Sequence, residues 1–215
     1  PHGRGLGSSA SAIVGRLALA RSLVLTGEQY MSDEDLITLA TELEGHPDNV
    51  AAAFYGGATL AWSESKTSSV GETKNIGRAV SLRVDDRIKA LLLVPNNQLA
   101  TAKARKLLPE IIPHQDAVLN SSRTALLVHA LAERPDLLFI ATEDLLHQKY
   151  RAQAMPKTIA LVEKLRGAGL AAVVSGAGPS VMVLYSGAED EIDQLESVAP
   201  GFTAMKLAIA KTGAQ

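Results

Sequence analysis

Apolar positions recur along the chain in two patterns, one helical and one extended, and together they set out its elements. Over residues 8–25, Ala10, Ile13, Val14, Leu17 and Val24 fall on one helical face, and Gly27 follows as a stop. Ser32 then reads as an N-cap, with Asp33, Glu34 and Asp35 in the first turn. Leu36, Leu39, Ala40 and Leu43 form the stripe of that second helix, and Gly45 ends it. A short alanine-rich helix over 50–54 is broken by Gly56 and Gly57. Residues 58–62 read as a strand and 67–75 as a polar loop. Strands follow over 79–84 and 88–94, on either side of the turn residues Asp85 and Asp86. Helices are expected near 101–108, 115–131, 136–145 and 156–166. Strands over 171–174 and 180–185 pair through a tight GAGP turn, and a helix near 189–197 and a strand near 203–210 finish the chain. This order predicts an α+β sandwich with helices on one sheet face, and a soft domain boundary near Asp85.

Composition narrows the function. Of 215 residues 47% are hydrophobic, enough for the core of one large domain or two small ones. The net charge of −2 lacks the basic footprint of a nucleic-acid binder. Cysteine is absent, which excludes disulfides and thiolate metal sites and fits a reducing cytoplasm. No apolar run approaches the roughly 18 residues of a membrane span, and the glycine-rich first residues carry no signal-peptide apolar region. Functional-looking sequence starts at Pro1, whereas a phosphate-binding loop normally follows a strand. The expectation is therefore that the natural N-terminus is missing and that the loop lies mid-domain.

That loop is PHGRGLGSSAS, Pro1, His2, Gly3, Arg4, Gly5, Leu6, Gly7, Ser8, Ser9, Ala10 and Ser11. Its glycines let the backbone turn tightly and approach a ligand. Ser8 and Ser9 open a helix whose first amides lack internal partners and carry the positive end of the dipole, so a phosphate fits there. Their hydroxyls can add hydrogen bonds or ligate Mg²⁺. A Walker loop is ruled out because no Lys precedes the serines, and a dinucleotide fingerprint because its last glycine is absent. The bland alternative is a flexible terminus before an ordinary helix.

Three further segments hold candidate chemistry. In EGHPDN, residues 44–49, Glu44 is a candidate Mg²⁺ ligand, since that ion takes one or two protein oxygens plus phosphate oxygens. Taken alone, Glu44 reads equally as a solvated helix end, His46 as a loop residue, and Asp48 and Asn49 as caps. Arg123 sits in an apolar helical stripe with Leu119, Leu126, Leu127 and Ala130, where a guanidinium needs a partner. A bound carboxylate suits it, although from the pattern alone a salt bridge to an internal acid fits better. Arg151, before Pro156, says little by itself. Ser175, Gly176, Gly178 and Pro179 belong to the turn between two strands.

The first string resembles the second signature of the GHMP kinases, which include galactokinase, mevalonate kinase and homoserine kinase, with Ser11 where Ala is usual. EGHPDNVAAA resembles the homoserine kinases of that superfamily, with a shorter Glu-to-His spacing, and SGAGPS resembles the third signature. The resemblance covers essentially the whole chain. It implies a two-layer GHMP-kinase-like α+β fold: residues 1–85 as the remainder of an N-terminal ATP-binding α/β domain, and 86–215 as a ferredoxin-like C-terminal domain. It further implies ATP-dependent phosphorylation of homoserine in threonine biosynthesis. By it, residues 1–11 hold ATP, and Ser8 or Ser9 with Glu44 holds Mg²⁺. His46, Asn49, Arg123 and Arg151 position the acceptor, and the Ser175–Gly178 turn supports the loop. Glu44, Ser9 and Asn49 stand nearest the chemistry, and Asp48 ranks as structural rather than as a base. A homodimer is implied too. The alternatives are a mevalonate- or sugar-directed kinase, which EGHPDN and the arginine pair argue against, and an inactive piece of such a kinase.

Overall fold

In the computed structural model, residues 2–67, 73–187, 192 and 199–214 are described. They form two compact units, each assembled from separate stretches of sequence: residues 7–83 with 210–215, and residues 1–6 with 84–209.

The first of these begins with α1 (Ser8–Ser22), capped by Gly7 in the left-handed conformation. Ala10 and Val14 are buried, and Ile13, Leu17 and Ala18 pack beside them. The helix stops three residues short of the expected end, which leaves Val24 exposed. Gly27 is no stop. It opens α2 (Gly27–Tyr30) and lies so close to the Arg21 carbonyl that a Cβ would overlap it. The glycine thus serves close approach rather than termination.

Ser32 caps α3 (Asp33–Glu44) through a reciprocal box: the Asp35 amide donates to Ser32 Oγ, and the Ser32 amide donates to the Asp35 carboxylate. The buried stripe is Leu36, Ile37, Ala40 and Thr41, whereas Leu43 is 61% exposed. The face is turned because it packs on a strand at Gly77, where no Cβ fits against Thr41. Gly45, at φ 91°, ends the helix as expected. α4 (Asp48–Tyr55) adds Val50 and Phe54 to the core that α1 and α3 share.

β1 (Ala58–Thr67) and β2 (Thr73–Leu82) form an antiparallel pair with Ala58 opposite Leu82 and Thr67 opposite Thr73. The polar stretch expected as a loop is therefore strand at Thr67 and over 73–75, and residues 68–72 lie outside the described ones. Its polarity reflects cross-strand polar pairs, such as Ser65 donating to Asn75 at 2.8 Å.

The second unit is built on an antiparallel sheet of β3 (Lys89–Pro95), β4 (Ala171–Val174), β5 (Val181–Tyr185) and β6 (Phe202–Ala208), ordered β4-β5-β3-β6. The turn at Asp85 exists, with Ile88 N–H bonded to the Asp85 carbonyl. It does not make a hairpin, because β2 and β3 belong to different sheets. Leu91, Leu93, Val181 and Val183 share one sheet face and bury Leu161, Val162 and Leu165 of α9 (Pro156–Gly167). Leu184, on the alternate positions of β5, packs in another cluster with Ile88, Ala171, Ala130 of α6 (His114–Ala132) and Leu138 of α7 (Leu138–Ala141). Helices thus line both faces rather than one.

Two short helices complete the unit, α5 (Thr101–Arg105) and α8 (Gln148–Arg151). The helix expected over 136–145 is instead a 3-10 turn at Pro135–Leu137 followed by α7. It breaks because the Asp144 side chain takes the backbone amides that follow it. The helix expected near 189–197 lies outside the described residues apart from Ile192, which is buried in the sheet's core.

Candidate functional site

Pro1 lies outside the described residues. The loop that follows holds Gly3, Gly5 and Gly7 at φ 67°, 73° and 65°, a region that side-chain-bearing residues avoid. Its first half is fastened at three points. The Leu99 amide donates to the Gly3 carbonyl at 2.9 Å, and Arg4 Nη2 donates to the Asn96 carbonyl at 3.0 Å. Ser175 Oγ donates to the Gly5 carbonyl at 2.8 Å. Gly5 presses on the Ser175–Gly178 turn so closely that a Cβ would collide with its backbone. The two glycine segments, 170 residues apart in sequence, thus rest on one another.

At Gly7 the loop becomes α1. The first helical bond runs from the Ser11 amide to the Gly7 carbonyl, so the amides before it have no partner within the helix. No acidic side chain occupies that turn. Beside it, a Cβ on Gly7 would stand 3.3 Å from Asn49 Oδ1, which places Asn49 against the junction of loop and helix.

Asn49 belongs to the turn between α3 and α4. Glu44, the last residue of α3, is 12% exposed. His46 lies between two carboxylates: its Nδ1 pairs with Asp48, and its Nε2 is 4.0 Å from Glu44 Oε1. Asp48 also accepts the Asn49 amide at 2.6 Å. The donors present suit a hard cation, with a mostly buried carboxylate on α3 and the serine hydroxyls of α1. Among the described residues there is no group of three or more His, Asp or Glu arranged as a metal cage.

Arg123, on α6, and Arg151, at the end of α8, stand on segments that side chains of α6 tie together, with no bond between the two arginines. Arg123 Nε donates to Glu143 at 2.6 Å, so the internal acid considered for it exists. Glu143 is close to half exposed. Asn120, one turn before Arg123 on α6, accepts the Leu145 amide, and Asp116, another turn back, pairs with Lys149 at 2.5 Å. Arg151 is the last residue of α8 and only 8% exposed. Its Nη1 donates to the Gly176 carbonyl at 3.2 Å, and its Nε has no partner among the described residues. Burial draws its pKa down from the usual arginine value; Asp144 opposes this and Arg105 adds to it. Gly176 in turn leans on the Gly5 carbonyl.

Sequence reasoning missed Asp116, Asn120, Glu143 and Asp144. A signal for the first two was present: with Arg123 they recur at i, i+4 and i+7, a polar stripe beside the apolar one. Among the described residues no helix is long and apolar enough to cross a membrane.

Comparison with known proteins places these features. Residues 1–57 match the family of GHMP kinases N terminal domains and residues 122–200 that of GHMP kinases C terminal domains. A homoserine kinase from Streptomyces coelicolor is 48% identical over the whole chain, and one from Mycobacterium tuberculosis is 47% identical over 98% of it. The chain spans 66% of the length of each, about two thirds. Among solved structures, a homoserine kinase from Cytophaga hutchinsonii superposes with a TM-score of 0.78 at 25% identity, covering 99% of this chain and 68% of that one.

Proposed function

Because the chain belongs to the GHMP kinase family, we propose that it transfers the terminal phosphoryl group of ATP to the side-chain hydroxyl of L-homoserine, giving O-phospho-L-homoserine for threonine biosynthesis. The observation that carries this reading is whole-chain identity near one half with homoserine kinases, combined with an intact glycine loop that ends on the N-terminus of α1. We take residues 1–85 as the remainder of the ATP-binding domain and 86–215 as the C-terminal domain. The reading includes a cytoplasmic homodimer on family grounds.

Residues 1–11 hold the triphosphate, with the α1 amides and dipole offsetting its charge. Ser8 or Ser9 with Glu44 holds Mg²⁺, which when bound draws charge from the phosphate oxygens. Asn49, beside Gly7, and His46, oriented by Asp48, border the acceptor. Arg123 and Arg151 hold its carboxylate; Arg123 exchanges Glu143 for the substrate, while Arg151 offers the free Nε of a buried guanidinium. The acceptor hydroxyl gives its proton to the transferred phosphate. A loose transition state asks for positioning and charge stabilisation more than for a base. Asp48 fits that scheme as a structural residue, since its carboxylate already serves His46 and the Asn49 amide.

The test is a product assay with ATP and Mg²⁺ against homoserine, mevalonate and galactose. Phosphohomoserine is expected, and turnover on another acceptor without it would overturn the reading. A thermal-shift series in millimolar Mg-ATP bears on the remaining alternative, because the absence of any shift favours an inactive piece.

A further inference from the structure

We infer that Asp144 is a positioning residue that sets the buried guanidinium of Arg151 for the acceptor's carboxylate; this rests on the substrate role proposed for Arg151. The case begins with how little holds Arg151 by itself. A single helical turn such as α8, four residues long, is not stable alone. The guanidinium at its end is buried, donates to the Gly176 carbonyl at 3.2 Å, and has no partner for its Nε among the described residues. Its direction is therefore set by the backbone that carries it.

That backbone is held chiefly by one carboxylate. Asp144 accepts the amides of Leu146 at 3.2 Å, His147 at 3.0 Å and Gln148 at 2.6 Å, and pairs with the His147 ring at 3.0 Å. These bonds start α8. Gln148, so placed, accepts the Val174 amide through its side chain at 2.7 Å, one residue before the Ser175–Gly178 turn to which Arg151 reaches. The pairing of Lys149 with Asp116 fastens the other side of α8 to α6. Asp144 makes no hydrogen bond to Arg151; it acts on the guanidinium through the backbone it holds, with the nearness of its charge beside that.

The experiment is steady-state kinetics on the full-length gene product carrying Arg151→Ala, Asp144→Ala, Asp144→Asn and the Arg151→Ala/Asp144→Ala double substitution, with KM read separately for homoserine and ATP. Arg151→Ala is expected to raise the homoserine KM by about 30-fold, the range of a charge-assisted hydrogen bond. Asp144→Ala should raise it by about 10-fold and leave the ATP KM within about twofold. Asp144→Asn, which keeps one acceptor oxygen, should fall between wild type and Ala. The double variant should be no worse than Arg151→Ala, because the two residues act in series. A wild-type homoserine KM in the Asp144 variants, multiplication of the single effects in the double, or parallel rises in both KM values each overturns the inference. If Asp144→Ala does not fold, Asp144→Asn decides: a homoserine-specific rise of about threefold supports the role, and none refutes it. An unchanged homoserine KM in Arg151→Ala is a different outcome, which removes the substrate role of Arg151 and the inference with it.

Discussion

Two aspartates in this chain each stand where a short helix begins, and each accepts hydrogen bonds from the backbone there. Asp48 takes one amide, that of Asn49, and its side chain is 69% exposed. Asp144 takes three amides and is 19% exposed. Asp48 begins a helix of eight residues whose apolar face already packs on two others. Asp144 begins one of four residues that has little else to order it. The same residue in the same local role is thus an accessory in one region and a foundation in the other, and the difference lies in how much of the surrounding structure is self-supporting.

Substitutions can break or sharpen that contrast. The largest effect is expected beneath the assembled region, at Gly5. Gly5→Ala places a side chain at φ 73° and drives it into the Ser175 carbonyl. A loss of about 3 kcal/mol or more is expected in urea unfolding.

Next comes Asp144→Ala, which strands three amides and should cost about 2 kcal/mol. Burial draws the Asp144 carboxyl's pKa up, but bonds from the His147 ring and from the Gln148 and His147 amides outweigh it and hold the carboxyl below its usual range. A depressed folded pKa contributes stability above the unfolded value, about 4, and that contribution disappears as pH falls through the folded value. Asp144→Asn should therefore flatten the acid limb of a stability–pH curve below about pH 4. An unchanged limb would show that these bonds do not depress the Asp144 carboxyl.

Gly45→Ala probes the other side. The residue has φ 91°, yet a Cβ there meets nothing within 4 Å. The cost should be backbone strain alone, about 1 kcal/mol. The smallest effect is expected for Asp48→Asn, with kcat within about threefold of wild type. Loss of nearly all turnover, with both substrates still bound, would instead make Asp48 a catalytic base.

The same contrast explains what was legible in the sequence. The glycine loop, the Ser32 cap and EGHPDN are local devices. Their geometry follows from residues next to one another, so reading along the chain finds them. The fold class was legible for a related reason, since apolar periodicity is local. Arg123 was recognised as a cation needing a partner, but Glu143 stands 20 residues away on a turn that no pattern announces. The 136–145 segment read as a helix because its apolar residues allow one, whereas the Asp144 side chain outcompetes that helix for the following amides. Leu43 and Val24 were assigned inward because periodicity gives the width of a stripe but not the direction of its neighbour.

The two compact units are interleaved along the chain. Residues 1–6 count with 84–209, while 210–215 return to the unit of 7–83. In that return the Ala214 amide bonds the Ala53 carbonyl, and Gly213 fits against Phe54 with no room for a Cβ. A gene cut between codons 83 and 84 therefore does not yield two self-sufficient products. Each half would lack six residues encoded in the other. During synthesis, too, the unit of residues 7–83 stays unfinished until residues 210–215 have been made and have left the ribosome.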